Sequence, residues 1–239
     1  MSALLRTWLL VAPFTVSAAL VALVVMIPVT WAMRDIRPIY QVARWLVRAV
    51  LWVAGVRVET RGPDPWQALQ PAVYLSNHVS NVDPPIVFLH VPRVAIMGKK
   101  VVFRTPLFGY ALKMAEFISV DRRAPDSRRK AMEAGVDRLK RGLSLLIFPE
   151  GTRGTDGNLL PFRPGPFTMA IEAQAPVVPI TILGTREVMP KGAAWLRAGQ
   201  VTLLFHEPIP TRGMTQKNRE ELMRTTRTAI ASGLTWRRL

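Results

Sequence analysis

The chain has 239 residues, no cysteine and a formal net charge of +16. That length supports one sizeable core, or a core with an appendage, and the missing cysteines exclude disulfides, thiolate metal sites and a cysteine nucleophile. So large a positive charge points to nucleic acid, an anionic lipid surface or an acidic partner, while a hydrophobic content of 49% excludes a disordered basic tail.

From Thr7 to Met33 no residue is charged. Roughly 20 apolar residues span a bilayer core, and Trp8 and Trp31 flank the run where amphipathic rings sit at headgroups. Pro13 and Pro28 predict a break or kink. The run is longer than a signal-peptide core and lacks a clean cleavage site, so an uncleaved membrane segment is predicted. In "RDIRPIYQVARWLVRAVLWVAGV", Arg37, Arg44 and Arg48 share one stripe at about 100° per residue. Val42, Leu46, Val50 and Val53 point the other way, and Trp45 and Trp52 add apolar area. Such a basic amphipathic helix suits a membrane interface with anionic headgroups; a core-facing helix with solvated arginines is the other reading. Arg34, Arg37, Arg44 and Arg48 follow the apolar run, which places the rest of the chain in the cytosol. Residues 1–54 are therefore expected as membrane-embedded or interfacial helices, and 55–239 as a second unit.

Beyond Gly55, β-rich runs alternate with helical stretches. Strands are predicted over 56–60, 72–76, 93–97, 117–120, 143–148, 177–183 and 200–206. Helices are predicted over 84–89, 108–115, 126–141, 167–173 and 214–234, with a proline-rich connector over 61–72. The alternation predicts an α/β fold with a mainly parallel central sheet flanked by helices.

Ligands of open α/β sheets gather beyond the carboxyl ends of strands. "NHVSNVD" (77–83) and "FPEGTR" (148–153) both occupy such positions. His78 can take a proton from a hydroxyl near neutral pH, and Asp83 can fix its tautomer and stabilise the imidazolium. Asp83 before Pro84 also reads as a helix cap with no chemical task. Ser76 and Ser80 raise a serine hydrolase, although no G-x-S-x-G elbow is present. In the second loop the Arg153 fork suits a phosphate monoester, and Gly151 permits close approach of backbone N–H groups to an anion. Lys99, Lys100, Arg104, Arg122 and Arg123 lie in two further loops. His90 reads as a helix-terminal residue and His206 as surface, and no cluster has metal-ligand spacing.

The blocks "NHVSNVD", "KKVVFRTPLFG", "FISVDR", "FPEGTR", "LLPFRPGPFTMA" and "APVVPITI" come in an order and spacing that resembles the glycerolipid acyltransferases, most closely the bacterial 1-acyl-sn-glycerol-3-phosphate (lysophosphatidate) acyltransferases, over about residues 70–210. The resemblance implies acyl transfer from a thioester, acyl-CoA or acyl carrier protein, directly to the sn-2 hydroxyl of lysophosphatidate, with no other cofactor. It makes His78 the general base and Asp83 its orienting partner. Glu150, Gly151, Thr152 and Arg153 would bind the glycerol phosphate, with Lys100 and Arg122 adding charge. It also implies the inner (cytoplasmic) membrane, with the α/β domain on the cytosolic face among anionic phospholipids; no nucleic acid is expected, because no zinc-finger, helix-turn-helix or RNP-like pattern is present and the basic residues have a lipid explanation. Val79, Ala115–Glu116, Arg163 and Pro166 depart from common family residues. They leave the acceptor open among lysophosphatidate, glycerol-3-phosphate, lyso-ornithine lipid and other lysophospholipids. A non-enzymatic basic membrane protein is the remaining alternative.

Overall fold

Alternating apolar runs and helical stretches produce one seven-stranded sheet with helices on both faces. The computed structural model describes all residues except Met1, Arg34, Ile36, 65–70, Arg122, Asp156 and 236–239. The strands are β1 (Val56–Arg61), β2 (Val73–Ser76), β3 (Val94–Lys99), β4 (Ile118–Val120), β5 (Ser144–Ile147), β6 (Val177–Leu183) and β7 (Gly199–Phe205), in the order β1-β7-β6-β2-β5-β3-β4. Every described pairing is parallel except β6 with β7. The expectation of a mainly parallel sheet therefore holds, with β1 and β7 running opposite to the other five strands. The proline-rich connector falls partly on 65–70, outside the described residues.

The helices are α1 (Ala3–Arg6), α2 (Ala12–Met33), α3 (Arg37–Ala54), α4 (Asp83–His90), α5 (Phe108–Met114), α6 (Pro125–Lys140), α7 (Gly165–Glu172), α8 (Thr185–Val188) and α9 (Arg219–Thr235). Successive residues of a strand face opposite sides. Tyr74 of β2 thus joins the core layer under α3 and α4, while Val73 and Leu75 join the layer under α6, α7 and α9.

Among the described residues one helical run, Ala3–Met33, is long and apolar enough to cross a membrane by length and composition. Pro13 does not break it. A π turn over Thr7–Val11 precedes α2, and it absorbs the place where Pro13 has no N–H to give. Pro28 sits inside α2.

The arginine stripe of α3 is divided. Arg37 and Arg48 are exposed beside Trp45 and Trp52, as expected for an interfacial face. Arg44 is not: its guanidinium donates to the Val91 carbonyl and lies over the Phe88 ring. It turns inward because α3 packs on the sheet domain through Ile39, Tyr40, Leu51 and Ala54. The Tyr40 hydroxyl reaches the carbonyls of Val94 (2.8 Å) and Ala115 (3.0 Å). Arg34 lies outside the described residues.

Candidate active site

β2 and β5 are neighbours, with Leu75 opposite Ile147. The loops that leave their carboxyl ends therefore meet. His78 Nδ1 lies 2.8 Å from Asp83 Oδ2. The same oxygen accepts the backbone N–H groups of Val79 (2.8 Å) and Ser80 (2.7 Å). Asp83 is the first residue of α4 and fully buried. Among the described residues its side-chain hydrogen bonds run backward into the loop rather than forward to its own helix. The cap reading thus gives way to an aspartate that shapes the loop and fixes the imidazole. With Nδ1 engaged, Nε2 has no hydrogen bond among the described residues, and the side chain is 14% exposed. The ring stacks on Phe148, centroids 4.3 Å apart.

Glu150 joins the two loops. One carboxylate oxygen accepts the His78 N–H and the other accepts the Leu160 N–H, each at 2.8 Å. The Gly154 N–H donates back to the His78 carbonyl at 2.8 Å. Burial pushes the Glu150 carboxyl above its ordinary value, while the two N–H donors and the nearby His78 and Arg227 pull the other way. Gly151 has φ +71°, and a Cβ there would fall 2.6 Å from Arg163 Nε, so a side chain would be both strained and crowded. Thr152 is exposed. Arg153 Nη1 is buried with no hydrogen-bond partner among the described residues. A buried cationic donor left open suits an incoming anion.

The acyltransferase family profile matches residues 57–183. A human 1-acyl-sn-glycerol-3-phosphate acyltransferase beta is 30% identical over 189 residues, 78% of this chain and 68% of its own. The chain belongs to the glycerolipid acyltransferase family. A chloroplastic family member of Brassica napus, named a 1-acyl-sn-glycerol-3-phosphate acyltransferase, is 37% identical over 140 residues. That match covers 58% of this chain and 41% of the plant protein, and the match to the Limnanthes alba enzyme of the same name covers 58% of it. The chain thus spans about half the length of these plant relatives. The crystal structure of the 1-acyl-sn-glycerophosphate acyltransferase PlsC from Thermotoga maritima superposes with a TM-score of 0.81 at 24% identity, over 95% of this chain and 94% of that one. It shares the fold.

Within this family fold, Lys100 follows β3 on the same sheet edge. It is exposed and makes no side-chain hydrogen bond or ion pair among the described residues. Arg122 lies outside the described residues. Ser76 and Ser80 are fully buried and donate to the carbonyls of Asn77 and Met189, which leaves neither available as a nucleophile. His90 bonds the Ile86 carbonyl within its helix. His206 is not free surface: its Nε2 meets Thr181 Oγ1 at 2.8 Å, and burial lowers its pKa.

The roles of four supporting residues escaped the sequence reading, in which Arg163 stood only as a departure from a common family residue. The Asn77 amide exchanges two hydrogen bonds with the Ile182 backbone, and Arg163 covers Gly151. Lys191 donates to the Arg153 carbonyl. Arg227 of α9 holds the carbonyls of Leu159 and Leu160, the segment that donates to Glu150. Only the Asn77 position, directly after a strand, carried a local signal.

Proposed function

We propose that this protein transfers a fatty acyl group from a thioester donor to the sn-2 hydroxyl of lysophosphatidate, producing phosphatidate. The observation that carries the reading is the His78–Asp83 pair, with Nδ1 anchored at 2.8 Å and Nε2 left open. Nε2 takes the proton of the acceptor hydroxyl as its oxygen attacks the thioester carbonyl. Buried Asp83 stabilises the imidazolium that results. The tetrahedral intermediate collapses, the carbon–sulfur bond breaks and His78 returns the proton to the departing sulfur, which leaves as a thiol. Arg153 and the turn at Gly151 and Thr152 hold the acceptor phosphate, with Lys100 and Arg122 adding positive charge. Glu150 acts by bracing the two loops, since both its oxygens are taken by backbone donors.

The donor is acyl-CoA or acyl carrier protein, and both present the same thioester arm. The lipid acceptor and the apolar run Ala3–Met33 together favour the inner (cytoplasmic) membrane. The positively charged flank of α3 favours the cytosolic face. The test incubates membranes carrying the protein with labelled oleoyl-CoA or oleoyl-acyl carrier protein and 1-acyl lysophosphatidate, and resolves the lipid products. Labelled phosphatidate that depends on this protein is expected. Release of free fatty acid alone, or product only with another lysophospholipid, would overturn the reading.

A further inference from the structure

Among the described residues beyond Gly55, the exposed large apolar side chains all fall in one ten-residue segment: Val101 (64%), Val102, Leu107, Phe108 (43%) and Tyr110 (51%). We propose that the segment 101–110 is a membrane-docking wedge that inserts into the headgroup region of an anionic bilayer. The segment is built, not loose. Phe103 is its inward anchor. Gly109 closes over it so tightly that a Cβ would sit 2.2 Å from the Phe103 carbonyl oxygen. At the tip Leu107 has φ 59° and ψ −57°, and the Phe108 N–H donates to the Pro106 carbonyl. That is a strained three-residue turn, and it holds Leu107 and Phe108 outward.

A contiguous apolar patch rimmed by polar residues marks an interaction surface. The choice of occupant follows from charge and position. Lys99, Lys100, Arg104 and Lys113 are exposed around the patch, which suits anionic headgroups above an apolar layer. α5, which begins at Phe108, touches α2, the apolar helix of the N-terminal run. The patch therefore extends a surface that is already lipid-like. It also follows the carboxyl end of β3, the end of the parallel strands from which the His78 and Glu150 loops leave β2 and β5, so insertion would hold that end of the sheet against the bilayer.

The absence of cysteine makes single-site labelling direct. Val101→Cys, Phe108→Cys and, on exposed ground under the other core layer, Lys217→Cys would each carry an environment-sensitive dye in the full-length chain. The chain is reconstituted in vesicles of equal parts phosphatidylglycerol and phosphatidylcholine. Dyes at 101 and 108 should be quenched several-fold more by acyl-chain nitroxide lipids than the dye at 217, and protected from aqueous iodide. Phosphatidylcholine alone should weaken both effects. Iodide quenching at 101 and 108 equal to that at 217 would overturn the wedge. Protection from iodide without nitroxide quenching would also overturn it, and would assign the patch to a protein surface or a second copy. None of these outcomes depends on the acyl-transfer reaction.

Discussion

Asp83 Oδ2 accepts three donors, so the two predictions for the His78–Asp83 pair separate chemistry from shape. His78→Ala should lower acyl transfer by roughly 10²–10⁴ with the fold kept; a loss smaller than about threefold would exclude the general base. In Asp83→Asn the amide oxygen can still accept all three bonds, but the negative charge facing the imidazolium is gone. A rate loss with little change in melting temperature is expected; full activity would reduce Asp83 to a loop former. Arg153→Ala should raise the acceptor KM about tenfold, as a charged hydrogen bond to phosphate contributes about 1.5–3 kcal/mol, with the donor KM unchanged. Glu150 gives a pH test. Its folded pKa is raised above the ordinary 4.5, so the folded state binds this proton more tightly than the unfolded chain. Stability from the group is full below the ordinary value and falls as pH rises through the raised one. The melting temperature of wild type minus that of Glu150→Gln should therefore fall across that window and level off above it. A difference that grows with pH would mean that the two N–H donors outweigh burial. The meeting of the His78–Asp83 loop with the loop of Arg153 was legible, because each follows an apolar run that reads as a strand. The bracing of Glu150 was not. Its partners His78 and Leu160 are backbone donors 72 and 10 residues away, and any residue type supplies an N–H.

At the level of elements, β6 was expected over 177–183 and is found as Val177–Leu183, because an uninterrupted apolar run suits a strand buried on both faces. The direction of β7 was not legible. The connection over 184–198 is long enough for a parallel crossover or an antiparallel return, and composition does not choose between them. The inward turn of Arg44 was hidden for a related reason. A helical wheel gives relative angles, not which angle meets the domain. Tyr40 settles that angle through its two carbonyl partners. Tyr40→Phe keeps the ring contacts with Phe88 and Phe117 but removes both hydrogen bonds. A stability loss of about 1–3 kcal/mol is expected in chemical denaturation, since buried carbonyls are left unpaired. No change would mean that apolar packing alone seats α3.

For the molecule as a whole, carbonate and high salt should leave the full-length chain in the membrane fraction. A chain beginning at Arg34 should bind more weakly and respond to salt, because the arginine face of α3 is screened by ions. Its melting temperature should also fall, since Val11 is buried in the shared core. Equal release by carbonate of both chains would refute insertion of the first segment. The fastening of that segment has a topological consequence. At its start Arg6 donates to the Ala54 carbonyl, and Thr7 bonds the backbone of Leu196. Beyond its far end α3 begins at Arg37, and Ile39 and Tyr40 of that helix lie in the same core. A helix that crosses a bilayer delivers its ends to opposite compartments, and this helix returns both ends to one body. By length and composition it could cross, yet both of its ends are fastened to the same α/β body. Under the proposed activity, acceptor uptake and product release then share one leaflet, and phosphatidate reaching the opposite leaflet depends on a separate flipping step.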